Sequence, residues 1–260
     1  MPKHISVVAI LTATLLGTAA ARAEVVAALV GDATLAHVDT AARKVVKSVT
    51  ITGVGGRVLG IDVRPADGLL YAVAADGSVV TVDPASGQAT PKSKLDTTLP
   101  AGVAATVDFN PVADRLRIIG SDGTNLRANV DDGKVTKDGQ LRFADADAMK
   151  GKAPKVVAGA YINAVKGAKE TVLYDIDASG TLLRQAPPND GVLNTVGALG
   201  TLADTVAFDI QADGQGGNQA WAMVGDALHR VDLASGKGEM VARIAGVSGT
   251  VRDIAVLPGK

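Results

Sequence analysis

From Glu24 onward the chain sets short apolar runs between Gly, Asp and Pro residues that recur every few positions. Runs of this length, rich in Val, Ile and Leu and closed by Asp-Gly or similar turns, predict β-strands joined as antiparallel hairpins. The first three are Val25 to Val30, Thr34 to Val38 and Arg43 to Ile51. A second group follows as Arg57 to Val63, Leu69 to Ala74, Ser78 to Val82 and a weaker strand at Gln88 to Lys94. The third group opens at Val103 to Phe109, continues through Arg115 to Gly120 and Thr124 to Asn129, and closes near Lys134 to Phe143. The fourth has Val156 to Ile162, Thr171 to Ile176 and Thr181 to Gln185, and the fifth runs from Thr205 to Ile244. One strand, Thr250 to Leu257, has no group of its own. Two stretches lack the pattern. Ala144 to Lys155 predicts one helical turn or a loose surface loop. Ala186 to Gly200 predicts a long polar connection in place of an ordinary outer strand.

The groups share landmarks. An apolar–Asp–apolar triplet sits near the end of the opening strand: Ile61-Asp62-Val63, Val107-Asp108-Phe109 and, shifted by one, Phe208-Asp209-Ile210. A Val-Asp or Ile-Asp pair closes the third strand at Val38-Asp39, Val82-Asp83, Ile176-Asp177 and Val231-Asp232. The step from Val38 to Val82 is 44 residues and from Asp62 to Asp108 is 46. A four-stranded unit repeating with this period predicts an all-β, five-bladed β-propeller. A β-sandwich would explain the alternation but not the recurrence. The orphan strand fits inside Val25 to Val30, where it completes the first blade, closes the ring and removes the exposed sheet edges.

Composition agrees with a folded chain: 47% of the 260 residues are hydrophobic, and 30 Gly supply the turns. Met1 to Ala23 stands apart. Lys3 and His4 precede an apolar run, Ile5 to Leu16, and Ala21-Arg22-Ala23 offers small residues for cleavage, as in a secretory signal peptide. The run is shorter than a membrane span. Residues 24–260 are then the single propeller domain, exported to the periplasm or secreted, and expected to be a soluble monomer. Cleavage takes Lys3 and Arg22 from 26 basic residues and leaves 27 acidic ones, a net charge of −3. Mild acidity gives no support for nucleic-acid binding or for an anionic membrane surface. There is no Cys, so the exported fold stands without disulfides.

Candidate chemistry is sparse. His37 and His229 occupy equivalent strand positions and make a poor metal pair, and no zinc, phosphate-loop or nucleophile-elbow motif is present. Asp62, Asp108, Asp209 and Asp253 all lie on innermost strands, whose ends converge on the channel. They read either as acceptors for backbone N–H groups of the adjacent blade or as oxygen ligands for Ca²⁺, the only cofactor entertained. Arg57, Arg64, Arg115, Arg117, Arg127 and Arg252 cluster on inner and second strands. They read as Arg–Asp pairs stitching blades together or, in Arg115, Arg127 and Arg252 with Asn125, as an anion- or sugar-binding mouth. Within Val107 to Gly133, Asp108, Pro111 and the Asp-Gly turn belong to the repeat, which leaves Arg115, Arg117, Asn125 and Arg127 as its own. The segment Pro187 to Thr195 adds Asn189, Asp190 and Asn194 on an irregular loop, a common place for binding residues.

Several strings together resemble an exported bacterial family defined by a domain of unknown function, DUF4394: LGIDVRP from Leu59, VDFNPVADRLR from Val107, GTNLR from Gly123 and PPNDGVLNTVG from Pro187. The likeness runs from Val25 to Val256. It implies a propeller and export, and it assigns no catalytic roles. The expected function is non-catalytic binding of a small molecule, glycan or envelope protein at one mouth of the ring. The alternatives are a lactonase-like or carbohydrate-active hydrolase with a channel metal, and a structural envelope protein.

Overall fold

Residues 25–200 and 205–259 are described by a computed structural model. The expected signal peptide lies outside the described residues. Strand formation follows the sequence pattern closely, because β-branched runs are cut by turn residues at almost every boundary. Blade 1 begins with β1 (Val25–Val30), β2 (Thr34–Asp39) and β3 (Lys44–Thr50). Blade 2 comprises β4 (Val58–Val63), β5 (Leu70–Ala74), β6 (Ser78–Val82) and β7 (Ala89–Lys94). Blade 3 comprises β8 (Ala105–Asn110), β9 (Arg115–Gly120), β10 (Asn125–Ala128) and β11 (Val135–Lys137). Next come β12 (Arg142–Phe143), then β13 (Val156–Tyr161), β14 (Leu173–Asp177), β15 (Thr181–Gln185) and β16 (Val192–Ala198) of blade 4. Blade 5 is β17 (Ala207–Ala212), β18 (Asn218–Val224), β19 (Ala227–Val231) and β20 (Gly238–Arg243).

The last strand, β21 (Val251–Val256), pairs antiparallel with β1, from Val26 opposite Val256 to Val30 opposite Val251. It supplies the inner strand of blade 1, as the sequence pattern predicts. The inner strands β21, β4, β8, β13 and β17 then each contact the next, and β17 returns to β21. The fold is a closed five-bladed β-propeller.

Two expectations about the strands are corrected. Lys134 to Phe143 does not form one outer strand. It breaks at Asp138, whose carboxylate turns inward to two arginines, and β12 leaves blade 3 to pair in parallel with β16 of blade 4. Ala186 to Gly200 is not an irregular replacement for an outer strand. A 3₁₀ turn at Pro188–Asp190 ends at Gly191, whose φ of 67° closes it, and the regular strand β16 follows. Segment 144–155 forms no helix. Its loop is held by Asp147, which accepts hydrogen bonds from the Met149 and Thr195 amides.

Apolar side chains lie in five layers, one between each pair of adjacent blades. Each fully buried Val or Leu contributes roughly 1.5–3 kcal/mol. Among the described residues the layer between blades 3 and 4 holds eight buried apolar residues, against eleven to thirteen elsewhere, so polar groups fill the remainder of that junction.

Candidate functional site

The inner strands place four carboxylates around the channel. Asp253 Oδ2 accepts the Ile61 amide of blade 2 at 2.9 Å, and Asp62 Oδ2 accepts the Phe109 amide of blade 3 at 2.7 Å. Asp108 Oδ1 takes the Tyr161 amide of blade 4 at 3.0 Å, and Asp209 Oδ2 takes the Val256 amide of blade 1 at 2.6 Å. Each Asp therefore fixes one blade to the next, the backbone-acceptor role expected of the repeat. Blade 4 has no Asp in its inner strand, and its β13 carries Gly159.

These carboxylates also crowd one another. Asp62, Asp108 and Asp209 each offer an oxygen, and the three atoms lie within 4.8 Å of one another, a group able to coordinate a metal ion. Burial raises all four above the usual carboxylate range, and the charges of neighbouring Asp residues add to the rise at Asp62, Asp108 and Asp253. Asp209 is pushed up to about 6.

The candidate arginines divide sharply. Arg64 is a stitch between blades 2 and 3. Its Nε and Nη2 meet both oxygens of Asp114 at 2.8 and 2.6 Å, and Nη1 and Nη2 meet Asp131 at 3.1 and 2.9 Å. Arg64 and Lys92 together hold the Asp131 carboxyl down to about 2.

Arg117 is 2% exposed and spans blades 3 and 4. Its Nε donates to Tyr161 Oη at 3.2 Å, Nη1 to Asn125 Oδ1 at 2.8 Å and to Asp138, and Nη2 to Asn189 Oδ1 at 2.8 Å. Arg127 adds a paired contact to Asp138, at 2.6 and 3.0 Å. Asn125 Nδ2 donates to the Gly139 and Pro188 carbonyls, both at 3.0 Å. Thus the structure joins Arg117, Asn125, Arg127 and Asn189 in one network around Asp138.

The other candidates stand apart. Arg115 Nη1 bonds the Asp114 carbonyl at 2.8 Å, and Asn194 Nδ2 bonds the Arg184 and Ala186 carbonyls. Asp190 is exposed, and its carbonyl accepts Arg142. Arg252 sits at the junction of blades 1 and 2, where it donates to the Gly31 and Val58 carbonyls. Neither histidine joins a metal cluster among the described residues. His37 Nε2 meets the Pro84 carbonyl, and His229 is buried in β19.

Beside the Arg117 network lies a cleft of about 360 Å³. It is bounded by Asn110 at the end of β8 with Val112 and Ala113 after it, by Tyr161 and residues 170–173 around the start of β14, and by residues 184–186 and Pro188, with Glu170 and Arg184 bringing charge to the rim. The walls are largely apolar, and Val112 at the rim is 48% exposed. Gln185, 1% exposed, lines the cleft, and its Oε1 is buried without a hydrogen-bond partner. One strand inward from Gln185, on β14 and opposite Leu183, Asp175 has both carboxylate oxygens buried and unpartnered. Its side chain occupies the space a Cβ on the facing Gly159 would need, 2.5 Å from Asp175 Oδ1. Burial pushes Asp175 up to about 8, with the Arg117 charge opposing. A wider depression of about 470 Å³ lies between residues 140–145 and 150–154, where Asp145 and Lys150 pair with each other at 3.0 Å. No unpartnered buried polar atom lines it among the described residues, so the smaller cleft is the stronger candidate.

Reasoning from sequence missed Asp175, Gln185 and Asp138. A signal existed for the first two. Gln185 is the one polar residue at a buried position of TLLRQ, and Asp175 stands between the buried Leu173 and Ile176 in LYDID.

The fold and site define a closed five-bladed propeller with a concave site between two blades. The chain belongs to the family described as domain of unknown function (DUF4394), whose model matches residues 34–255. Among curated proteins none matches. A protein of unknown function from Bacteroides thetaiotaomicron is similar in structure, at 18% identity and a TM-score of 0.53, covering 91% of this chain and 65% of that one. One from Bacteroides caccae aligns at 11% identity and a TM-score of 0.47, over 91% and 100% of the two chains. The computationally designed Ika8 protein aligns at 14% identity and 0.40, over 90% and 63%. The first of these likenesses supports the fold alone. Among the described residues no helix is long and apolar enough to cross a membrane.

Proposed function

We propose that the protein is an exported, non-catalytic binding module that receives its ligand in the cleft between blades 3 and 4. The observation that carries this reading is Gln185, a buried acceptor without a partner in a largely apolar cleft of about 360 Å³. Ligand sites combine this size, apolar walls and a few converging polar groups. The Arg117 network supports the reading by fixing the walls. It ties β9 and β10 to Tyr161 and to the Pro187–Gly191 turn, so the cleft is preformed and little ordering is required on binding. The test is a small-molecule fragment screen followed by thermal shift on the native protein and on Val112→Arg, which fills the exposed rim. Hits that stabilise the native protein and lose their effect in the variant support the cleft. Hits indifferent to the substitution place binding elsewhere.

A second reading is favoured by the axial carboxylates. Three buried oxygens within 4.8 Å form an all-oxygen donor set, which suits a hard divalent cation and Ca²⁺ in particular. Such an ion would offset the mutual repulsion of Asp62, Asp108, Asp209 and Asp253 and reinforce the ring from its centre. Its role here is structural.

A further inference from the structure

We infer that the cleft between blades 3 and 4 recognises an uncharged amide borne on a small branched apolar group. This rests on the binding reading above and adds the chemistry of the ligand.

Tyr161, Leu173 and Gln185 lie directly opposite one another across β13, β14 and β15. Opposed residues project from the same face of a sheet, and neighbouring strands are ~4.8 Å apart. Tyr161 and Gln185 therefore flank Leu173 with Cα atoms ~10 Å apart. The orientation of the Gln185 amide is fixed, because the Pro188 carbonyl can only accept and Gln185 Nε2 donates to it at 2.6 Å. The free end is thus Oε1, an acceptor. Tyr161 Oη accepts from Arg117 Nε at 3.2 Å and meets the Asn110 side chain, whose Oδ1 is already taken by the Val112 and Ala113 amides, so the Tyr161 O–H proton is left for a further partner. The floor of the cleft is thus backed by one buried acceptor and one buried donor on either side of an apolar residue.

An amide supplies the matching pair, its N–H for Gln185 and its C=O for Tyr161. Other chemistries match less well. A carboxylate would set its lone pairs against those of Gln185 Oε1. The charged residues of the lining, Glu170 and Arg184, are both exposed, so an ammonium or a carboxylate would meet them at the rim and not beside Gln185. A sugar could pair hydroxyls with Glu170, Thr171 or Arg184, but those it set against Val112, Val172, Leu173, Ala186 and Pro188 would find no side-chain partner. The same walls suit a branched aliphatic group, and 48% exposed Val112 stands ready at the entrance.

The experiment is an NMR titration of the ¹⁵N-labelled protein with isobutyramide and with N-acetylvaline methylamide. Methyl isobutyrate, isobutyrate and methyl glucoside are run in parallel. Both amides should shift the backbone signals of Val112, Val172, Leu173 and Ala186 and the side-chain amide of Gln185. The ester, which keeps the carbonyl but lacks the N–H, should bind at least about tenfold more weakly. Tighter binding of isobutyramide points to a free carboxamide, and tighter binding of the blocked valine points to a peptide. Val112→Arg should abolish the shifts, and Gln185→Met should erase the preference for amide over ester. If Gln185→Met does not fold, the ester comparison on the native protein decides. An ester or glucoside that binds in the cleft as tightly as the amides overturns amide recognition and leaves the cleft as a ligand site. If no probe perturbs these residues, or if the shifts survive Val112→Arg, both readings fall.

Discussion

Asp253 Oδ2 accepts the amide of Ile61 at 2.9 Å, joining residues 192 positions apart in sequence. The bond exists only because β21 returns to the inside of blade 1, and it secures blade 1 to blade 2 at the channel wall. Asp253→Ala leaves a buried N–H unpaired and should cost roughly 1–3 kcal/mol. Asp253→Asn keeps an acceptor and removes one of four crowded carboxylates, so it should cost less. Deleting residues 250–260 should do far more, since it strips β1 of its inner partner and opens the ring. Urea denaturation of the three variants should give that order, and a truncated protein with an unchanged midpoint would refute the closure.

Arg117 and Arg127 share Asp138 but sit in different surroundings. Arg117→Leu strands Asp138, Asn125 and Asn189 in a junction short of apolar contacts, and removal of one member of a buried pair typically costs about 3–5 kcal/mol. The Arg127 side chain is 29% exposed, and Arg117 would still neutralise Asp138 after its loss, so Arg127→Ala should cost about 1 kcal/mol or less. Equilibrium unfolding of both variants measures the contrast. Equal losses would show that the two arginines are equivalent.

Asp175 makes stability depend on pH. Its carboxyl titrates near 8 in the folded protein, against about 3.9 in an unfolded chain. Between those values the folded state holds the extra proton, so its contribution is fully present below about pH 4 and lost as the pH rises towards 8. Asp175→Asn removes the titration. The thermal midpoint of the variant relative to the native protein should be higher at pH 8 than at pH 5. A difference that is flat with pH would exclude Asp175 as the source.

The axial carboxylates predict a cation effect of a particular sign. Ca²⁺ competes with protons for Asp62, Asp108 and Asp209, and Asp209 titrates near 6. Added Ca²⁺ should raise the thermal midpoint at pH 7.5, do little at pH 5, and lose its effect in Asp108→Asn. Identical midpoints with calcium and with chelator at pH 7.5 would remove the cation reading.

Much of the fold was legible along the chain, because a blade is a local object. Its hairpins are written by turn residues between apolar runs, as in Leu69 to Val82, and the recurrence of Asp62, Asp108 and Asp209 reveals that the units are copies. The outer strands were less legible. The break at Asp138 follows from the pull of Arg117 and Arg127, and the parallel pairing of β12 with β16 joins two blades, so no local pattern announces either.

The candidate site shows the same division. Sequence alone singled out Arg117, Asn125, Arg127 and Asn189 as polar residues outside the repeat. Their chemistry was ambiguous, since a guanidinium that pairs internally and one that awaits an anion read alike. Packing decided it: the partners are Asp138 and Tyr161, brought together by the meeting of two blades. Gln185 and Asp175 looked like ordinary strand residues, and only burial without partners sets them apart. Alternation along a strand determines which side chains turn inward, because its period is local and fixed at two. What each inward polar group meets is decided by residues far away in the chain, and that only the closed ring could settle.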